Sequence, residues 1–306
     1  MNFEEFLSKT ENSLRAFWGT GTQIEIKDIR KNNGVLLKGL VITQEKESIS
    51  PTIYLDGFYQ DYLKGKAFGR IVEEIIHLYK ENKVKVPINM DFFLDYKAVR
   101  GRIFQKVIHY EKNRELLDNI PHKRFMDLAV VVYYAYMNDF LGRGSIQITV
   151  SHLDKWGISE EKLFEDASKN TREKLGVEIL GMKDMLTELF FDNQCDADAA
   201  QVKEAVSYVE RDVSMHVMTV KGRYFGAACI CDTEMLKCFS ERCNRNFYIL
   251  PSSIHELILI PDTGFENPEN LRRMVREVNA EHVEEEEQLS DNVYYFNRST
   301  NTVNIV

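Results

Sequence analysis

The sequence predicts an α+β fold, with mainly antiparallel sheets and packed helices. It reads as a small N-terminal β-hairpin and helix unit followed by a larger α+β body. Three observations predict this. Extended apolar runs follow one another across short turns rich in Gly and Asn, the usual link between antiparallel neighbours. Helical stripes with capping residues stand among those runs. Strands and helices are mixed in order, and no internal repeat is present.

The elements follow in order. Residues 2–17 predict a helix: Asn2 caps it, Glu5 stands three positions later, and Phe3, Leu7, Leu14 and Trp18 fall near one stripe. Gln23–Ile29 and Val35–Thr43 predict two strands joined by Asn32-Asn33-Gly34, residues that tolerate positive φ. Thr52–Leu55 is a short third strand. Asp56 is placed to cap a helix reaching Leu63, which Gly65 ends. A second helix covers 67–82, with Phe68, Ile71, Val72, Ile75 and Tyr79 on one face. The stretch around Pro87 is the expected linker, which divides the chain into 1–87 and 88–306.

A short helical stretch is expected near Phe92 and a strand over Ile103–Ile108. Leu128–Tyr136, almost all β-branched, aromatic or apolar, predicts a strand buried on both faces. Gly142-Arg143-Gly144 predicts a turn into a strand over Ile146–Val150. Ser159 caps a helix to Lys174, with Glu160 and Glu161 at its positive end. Residues 177–213 fix no single structure, although Val202, Ala205, Val206 and Val209 follow a helical spacing. Strands are expected over Met215–Val220, Gly226–Ile230, Phe247–Leu250 and Glu256–Ile260, with a helix over Thr233–Cys243. Asn267-Pro268 is a helix start, a capping residue followed by Pro in the first turn. Two strands, Val293–Phe296 and Val303–Val306, are joined by a turn at Arg298–Asn301.

The 306 residues carry a net charge of −9. Residues 1–150 hold 22 basic and 19 acidic side chains, and residues 151–306 hold 17 and 29, so the acidity belongs to the second half. Such a balance repels nucleic acid and anionic lipid at long range. The longest apolar run, Leu128–Met137, is too short to cross a bilayer, and the N-terminus lacks a basic start and an apolar block. A cytoplasmic protein is expected, with no membrane association.

Cys195, Cys229, Cys231, Cys238 and Cys243 do not have the spacing of a disulfide framework. Cys238 and Cys243 stand five apart on a helix and diverge, so buried free thiols are expected, with no metal and no cofactor.

Ser252, Ser253, His255 and Glu256, after Pro251, form the most compact polar group of the second half. Hydroxyl, imidazole and carboxylate are the parts of a nucleophile-base-orienter system. Neighbours on an extended chain point to opposite faces, however, and no Gly-x-Ser-x-Gly elbow is present. The plainer reading is a tight turn, with His255 pointing alongside Leu257 and Leu259. Lys97–Arg124 is the one basic stretch with interleaved aromatics. Arg100, Arg102, Lys106, Lys112 and Arg114 are its anion-binding candidates, and a solvated connection is its plainer reading. Glu284–Glu287 reads as a solvated acidic run.

Several blocks carry a resemblance. They are Ser50–Leu55, Tyr110–Leu117, Ile120-Pro121-His122, Asp127–Val131, Tyr248–Glu256 and Leu289–Tyr294. Together they resemble an uncharacterised domain-of-unknown-function family of anaerobic gut bacteria. More weakly, the second half is similar to a broader uncharacterised bacterial family with a Pro-His pair before an apolar strand. The resemblance implies a bacterial origin and one architecture, and brings no activity or catalytic residue.

The expected function is a non-enzymatic binding or interaction protein with a protein or small-molecule partner. Its surface is expected in the groove between the first unit and the larger body, near Pro121, His122, Ser252, Ser253, His255 and Glu256. A hydrolase using Ser252 or Ser253 with His255 is the alternative. A nucleic-acid-associated protein acting through 97–124 is a third reading, which the overall charge disfavours.

Overall fold

The structure, a computed structural model, describes residues 1–44, 51–82, 91–138, 142–182, 215–251 and 253–306. Two compact units form. The first comprises Met1–Val99 and Ala135–Ser145; the second comprises Arg100–Tyr134 and Ile146–Val306. The linker expected near Pro87 and the helical spacing around Val202–Val209 lie outside the described residues.

In the first unit, helix α1 (Phe3–Trp18) begins at a capping box: Asn2 Oδ1 accepts from Glu5 N at 2.9 Å, and Glu5 accepts from Asn2 N at 3.1 Å. Strands β1 (Thr22–Arg30) and β2 (Leu36–Gln44) pair antiparallel, and β3 (Thr52–Tyr54) adds to β2. Asn33 and Gly34 take φ of 60° and 76°, the turn conformation their sequence favours. Helices α2 (Leu55–Leu63) and α3 (Phe68–Asn82) follow, with Gly65 at φ 99° between them. Phe6, Leu14, Ile24, Leu40, Ile42, Leu55, Ile71 and Ile75 are fully or almost fully buried together. Asp56 does not cap α2. Its carboxylate accepts from the backbone N–H of Lys38 at 2.8 Å instead, because the turn brings it beside β2.

The short helix α4 (Tyr96–Val99) leads to the second unit, where β4 (Ile103–His109), the Leu128–Tyr134 part of β6 (Leu128–Asn138) and β5 (His122–Phe125) pair antiparallel in the order β4-β6-β5. Leu128–Tyr134 are all buried, so this part of β6 is covered on both faces, as its composition requires. The one-turn helix α5 (Arg114–Leu117) lies between β4 and β5. β5 was not expected; its four residues, His-Lys-Arg-Phe, are polar at three positions and show no alternation in burial, so nothing in the sequence marks them as a strand. Strand β7 (Gly142–Gln147) pairs with β6 and takes in the glycines expected to form a turn. The strand expected to reach Val150 stops at Gln147. Val150 instead opens helix α6 (Val150–Trp156), whose start is fixed by Thr149 N donating to His152 Nδ1 at 3.0 Å.

Helix α7 (Glu160–Lys174) begins at Ser159, whose hydroxyl accepts from Lys162 N. It packs on β4, where Thr171 Oγ1 accepts from Gln105 N at 2.9 Å. Among the described residues a further antiparallel sheet runs β13-β12-β10-β11-β9-β8. Its strands are β8 (Val177–Gly181), β9 (His216–Val220), β10 (Phe247–Leu250), β11 (Leu257–Pro261), β12 (Tyr294–Asn297) and β13 (Thr302–Ile305). Helices α8 (Thr233–Cys243) and α9 (Pro268–His282) also belong to this unit. The fold is therefore α+β with antiparallel sheets.

The strand expected over Gly226–Ile230 is a buried 3-10 helix, Gly226–Cys231. The small run Gly-Ala-Ala-Cys lets the backbone close in on β9, a position a bulky strand residue would deny it. Helix α9 rests on its cap: Asn267 Oδ1 accepts from Glu269 N at 2.9 Å and from Asn270 N at 3.4 Å. Asn267→Ala is expected to cost about 1 kcal/mol. Urea unfolding checks it, and a change under about 0.3 kcal/mol would count against the cap.

Candidate functional site

The second unit gathers its chemistry where β4 and β6 meet the turn after β9. That turn carries unusual backbone. Gly222 takes φ 87°, but Arg223 and Phe225 take 51° and 59° without being glycine. Such residues cost about 1–3 kcal/mol each and persist where the surroundings hold them. The turn buries Phe225 and leaves Tyr224 39% exposed.

An aromatic cluster forms around Phe225. Its ring stacks on His255 at 5.6 Å and 10°. Tyr224 lies 3.9 Å from Phe225 and 5.4 Å from His255, centroid to centroid. Tyr133, on β6, meets Phe225 edge-on at 4.9 Å. Burial pushes the Tyr133 phenol above its ordinary range, and the nearby Tyr224 adds to that. Lys106, on β4, places Nζ 4.7 Å from the Phe225 centroid, within cation–π range. Desolvation pulls the Lys106 ammonium down to about 8.

His255 does not lie in β11 beside Leu257 and Leu259; the strand starts at Leu257. The imidazole is held by other groups. The backbone N–H of Phe225 donates to Nδ1 at 3.1 Å. A donor at Nδ1 puts the ring proton on Nε2. Nε2 faces Glu287 Oε1 at 3.5 Å. Ser253 Oγ accepts from the backbone N–H of His255 at 3.0 Å, so its hydroxyl closes a turn. Ser252 lies outside the described residues. Burial pushes the Glu256 carboxyl up; Arg223 and His255 counter this, and Glu287 adds to it. Glu287 is therefore part of the site and not a free member of an acidic run. Its carbonyl also accepts from Ile254 N at 2.9 Å.

The basic stretch is dispersed. Arg100 and Arg102 are exposed in the turn before β4. Lys112 reaches Gln288 Oε1 at 3.4 Å, and Arg114 pairs with Glu111 at 3.0 Å. Of the five candidates, the aromatic cluster takes in Lys106. Pro121 is buried, and His122 Nδ1 lies 3.0 Å from the Ile120 carbonyl, near Tyr110. The two clusters of expected site residues, around His122 and around His255, are thus described by different contacts.

Cys229 is buried, with its thiol 3.9 Å from the Thr219 carbonyl. Burial pushes the Cys229 and Cys231 thiols up to about 12, which keeps them protonated. Among the described residues no three His, Cys, Asp or Glu side chains gather as a metal site. Cys195 lies outside them.

A second polar group, absent from the sequence reading, surrounds Asp127 at the head of β6. Its Oδ2 accepts from Ser290 Oγ at 2.6 Å and from Asn292 Nδ2 at 2.9 Å; its Oδ1 accepts from Tyr294 OH at 2.7 Å. Burial, then the Asp127 charge, pushes the Tyr294 phenol well up. Among the described residues these partners of the carboxylate come from one segment, 290–294, so the group works as a clasp. Nothing short of the fold announces it: the partners stand more than 160 residues away.

No curated protein and no solved structure matches the chain. No described helix is long and apolar enough to cross a membrane. The family described as a family of unknown function, DUF5688, matches residues 3–298, nearly the whole length, and the protein belongs to that family.

Proposed function

We propose that the protein is a non-enzymatic binding protein of bacterial cytoplasm, and that its contact surface on the second unit is the aromatic group of Tyr224, Phe225 and His255. The commitment of His255 carries this reading. One ring nitrogen accepts from the Phe225 backbone and the other faces Glu287. The imidazole therefore holds a surface in place, whereas a general base needs a free nitrogen within reach of its proton donor. Tyr224 stands exposed on a strained turn over that ring, an arrangement suited to contact. The unpaired thiols of Cys229, Cys231, Cys238 and Cys243 accord with a reducing compartment.

Tyr224→Ala tests the surface. The side chain is exposed, so stability should stay within about 0.5 kcal/mol of wild type. Native mass spectrometry of protein recovered from its own cells should show a bound partner on wild type and little on the variant. Equal loading of both would remove Tyr224 from the contact surface. Turnover of simple esters that His255→Ala abolishes would favour the hydrolase and overturn the binding reading.

A further inference from the structure

We propose that Lys106 is the anchor for a small organic monocarboxylate with a flat apolar body, which it holds beside Phe225 and Tyr224. This rests on the binding reading above and names the ligand class of the same surface.

The argument starts from strand alternation. Along β4, Lys106 shares its sheet face with Phe104 and Ile108, and across the sheet it stands in one row with Val131 and His122. Ile108, Ala129 and Val131 on that face belong to a buried apolar cluster with Leu117 and Ile120. The ammonium thus rises from an apolar floor and meets the Phe225 ring. The side chain keeps part of its surface accessible.

Other lysines of the chain show what is missing. Asp28 holds the proton on Lys38, Glu74 and Asp61 hold it on Lys66, and Asp166 and Glu165 hold it on Lys162. Among the described residues no carboxylate does this for Lys106, and burial lowers its affinity for the proton. A cation in dry surroundings without a counter-charge is costly, so an anion that arrives beside it gains more than it would at a solvated lysine.

The neighbours select the anion. Around the Phe225 ring stand Tyr133 from β6, Tyr224 from the turn and His255 from the approach to β11; Glu287 lies beside His255, Glu256 interacts with Arg223, His255 and Glu287, and His122 stands in the Lys106 row from β5. Arg223 acts on Glu256, and the His122 ring is engaged by the Ile120 carbonyl. One ammonium carries one positive charge, which matches a monocarboxylate and leaves half the charge of a dianion such as phosphate unmatched. The exposed Tyr224 ring and the partly buried His255 ring beside it offer flat faces to the body of the ligand.

The test is thermal unfolding of the full chain with benzoate, acetate and inorganic phosphate as probes. At pH 7 benzoate should raise the midpoint, acetate should raise it less, and phosphate should leave it unchanged. Lys106→Met should unfold at the same temperature or higher without ligand and should bind benzoate at least tenfold more weakly. At pH 10, where the amine is neutral, wild type should lose the benzoate shift as well. That arm does not depend on any variant's folding. A missing benzoate shift at pH 7, an equal shift in Lys106→Met or at pH 10, or a larger shift with phosphate overturns the proposal. If benzoate has no effect while Tyr224→Ala still loses its native partner, this inference fails alone. A Lys106-dependent benzoate shift with full partner loading of Tyr224→Ala would instead retain the anchor and discard the earlier surface.

Discussion

Asp127→Ala should lower the unfolding free energy by about 3–5 kcal/mol, a large share of a typical domain's stability. The carboxylate is the acceptor for Ser290, Asn292 and Tyr294, at 2.6, 2.9 and 2.7 Å. Ser290 is 3% exposed and Tyr294 is fully buried. Removing the acceptor leaves two buried hydroxyls without their partner, and each costs about 1–3 kcal/mol. The lost bonds to a charged acceptor add to this. The effect should spread along the C-terminal segment, because Asn279 Nδ2 donates to the Ser290 carbonyl and to Asp291 at 3.0 and 2.9 Å. Asp127→Asn keeps one acceptor oxygen and should lose less. Urea denaturation of both variants measures the difference. A loss below about 1 kcal/mol for the alanine variant would show that the clasp is ornamental.

Gly226→Ala should cost about 3 kcal/mol, through crowding and not through backbone angle. An added Cβ would lie 2.6 Å from the His255 carbonyl oxygen and 2.8 Å from Val220 N, and closer still to the Thr219 hydroxyl. Two of these atoms are backbone, one on β9 and one in the His255 turn, so no side chain can swing away to make room. The Thr219 Oγ1 bond to the His255 carbonyl, 2.8 Å long, occupies the same place. The variant should therefore loosen His255 and Phe225 as well as lower the melting temperature. Near-ultraviolet circular dichroism would register the disturbed rings. Full wild-type stability in this variant would falsify the close approach of the Gly226 backbone to β9.

The elements that the sequence revealed have local causes. The caps at Asn2, Ser159 and Asn267 act within three residues of themselves, and all three stand where expected. The apolar run of β6 advertises burial on both faces. The α+β class follows from such signals alone. What escaped notice depends on partners far along the chain. Nothing near Lys106 announces Phe225, and nothing near Asp127 announces Tyr294. The turn after β9 hid for another reason. Its left-handed positions at 223 and 225 are an arginine and a phenylalanine, so the Gly or Asn that usually marks such backbone is missing. Ser253 and His255 were legible as a polar group, but their bonds run to backbone, and residue type does not encode that choice.

The first unit is discontinuous, since it takes Ala135–Ser145 after the chain has entered the second. During synthesis, at about 5–20 residues per second, its last segment emerges a few seconds after Val99. For that interval the β1-β2-β3 sheet and its helices exist without their final piece, while the ribosome is already delivering residues that belong elsewhere. Completion of the N-terminal unit is thus timed by translation of β6 and β7, and a pause placed between codons 100 and 135 would lengthen the life of the unfinished state.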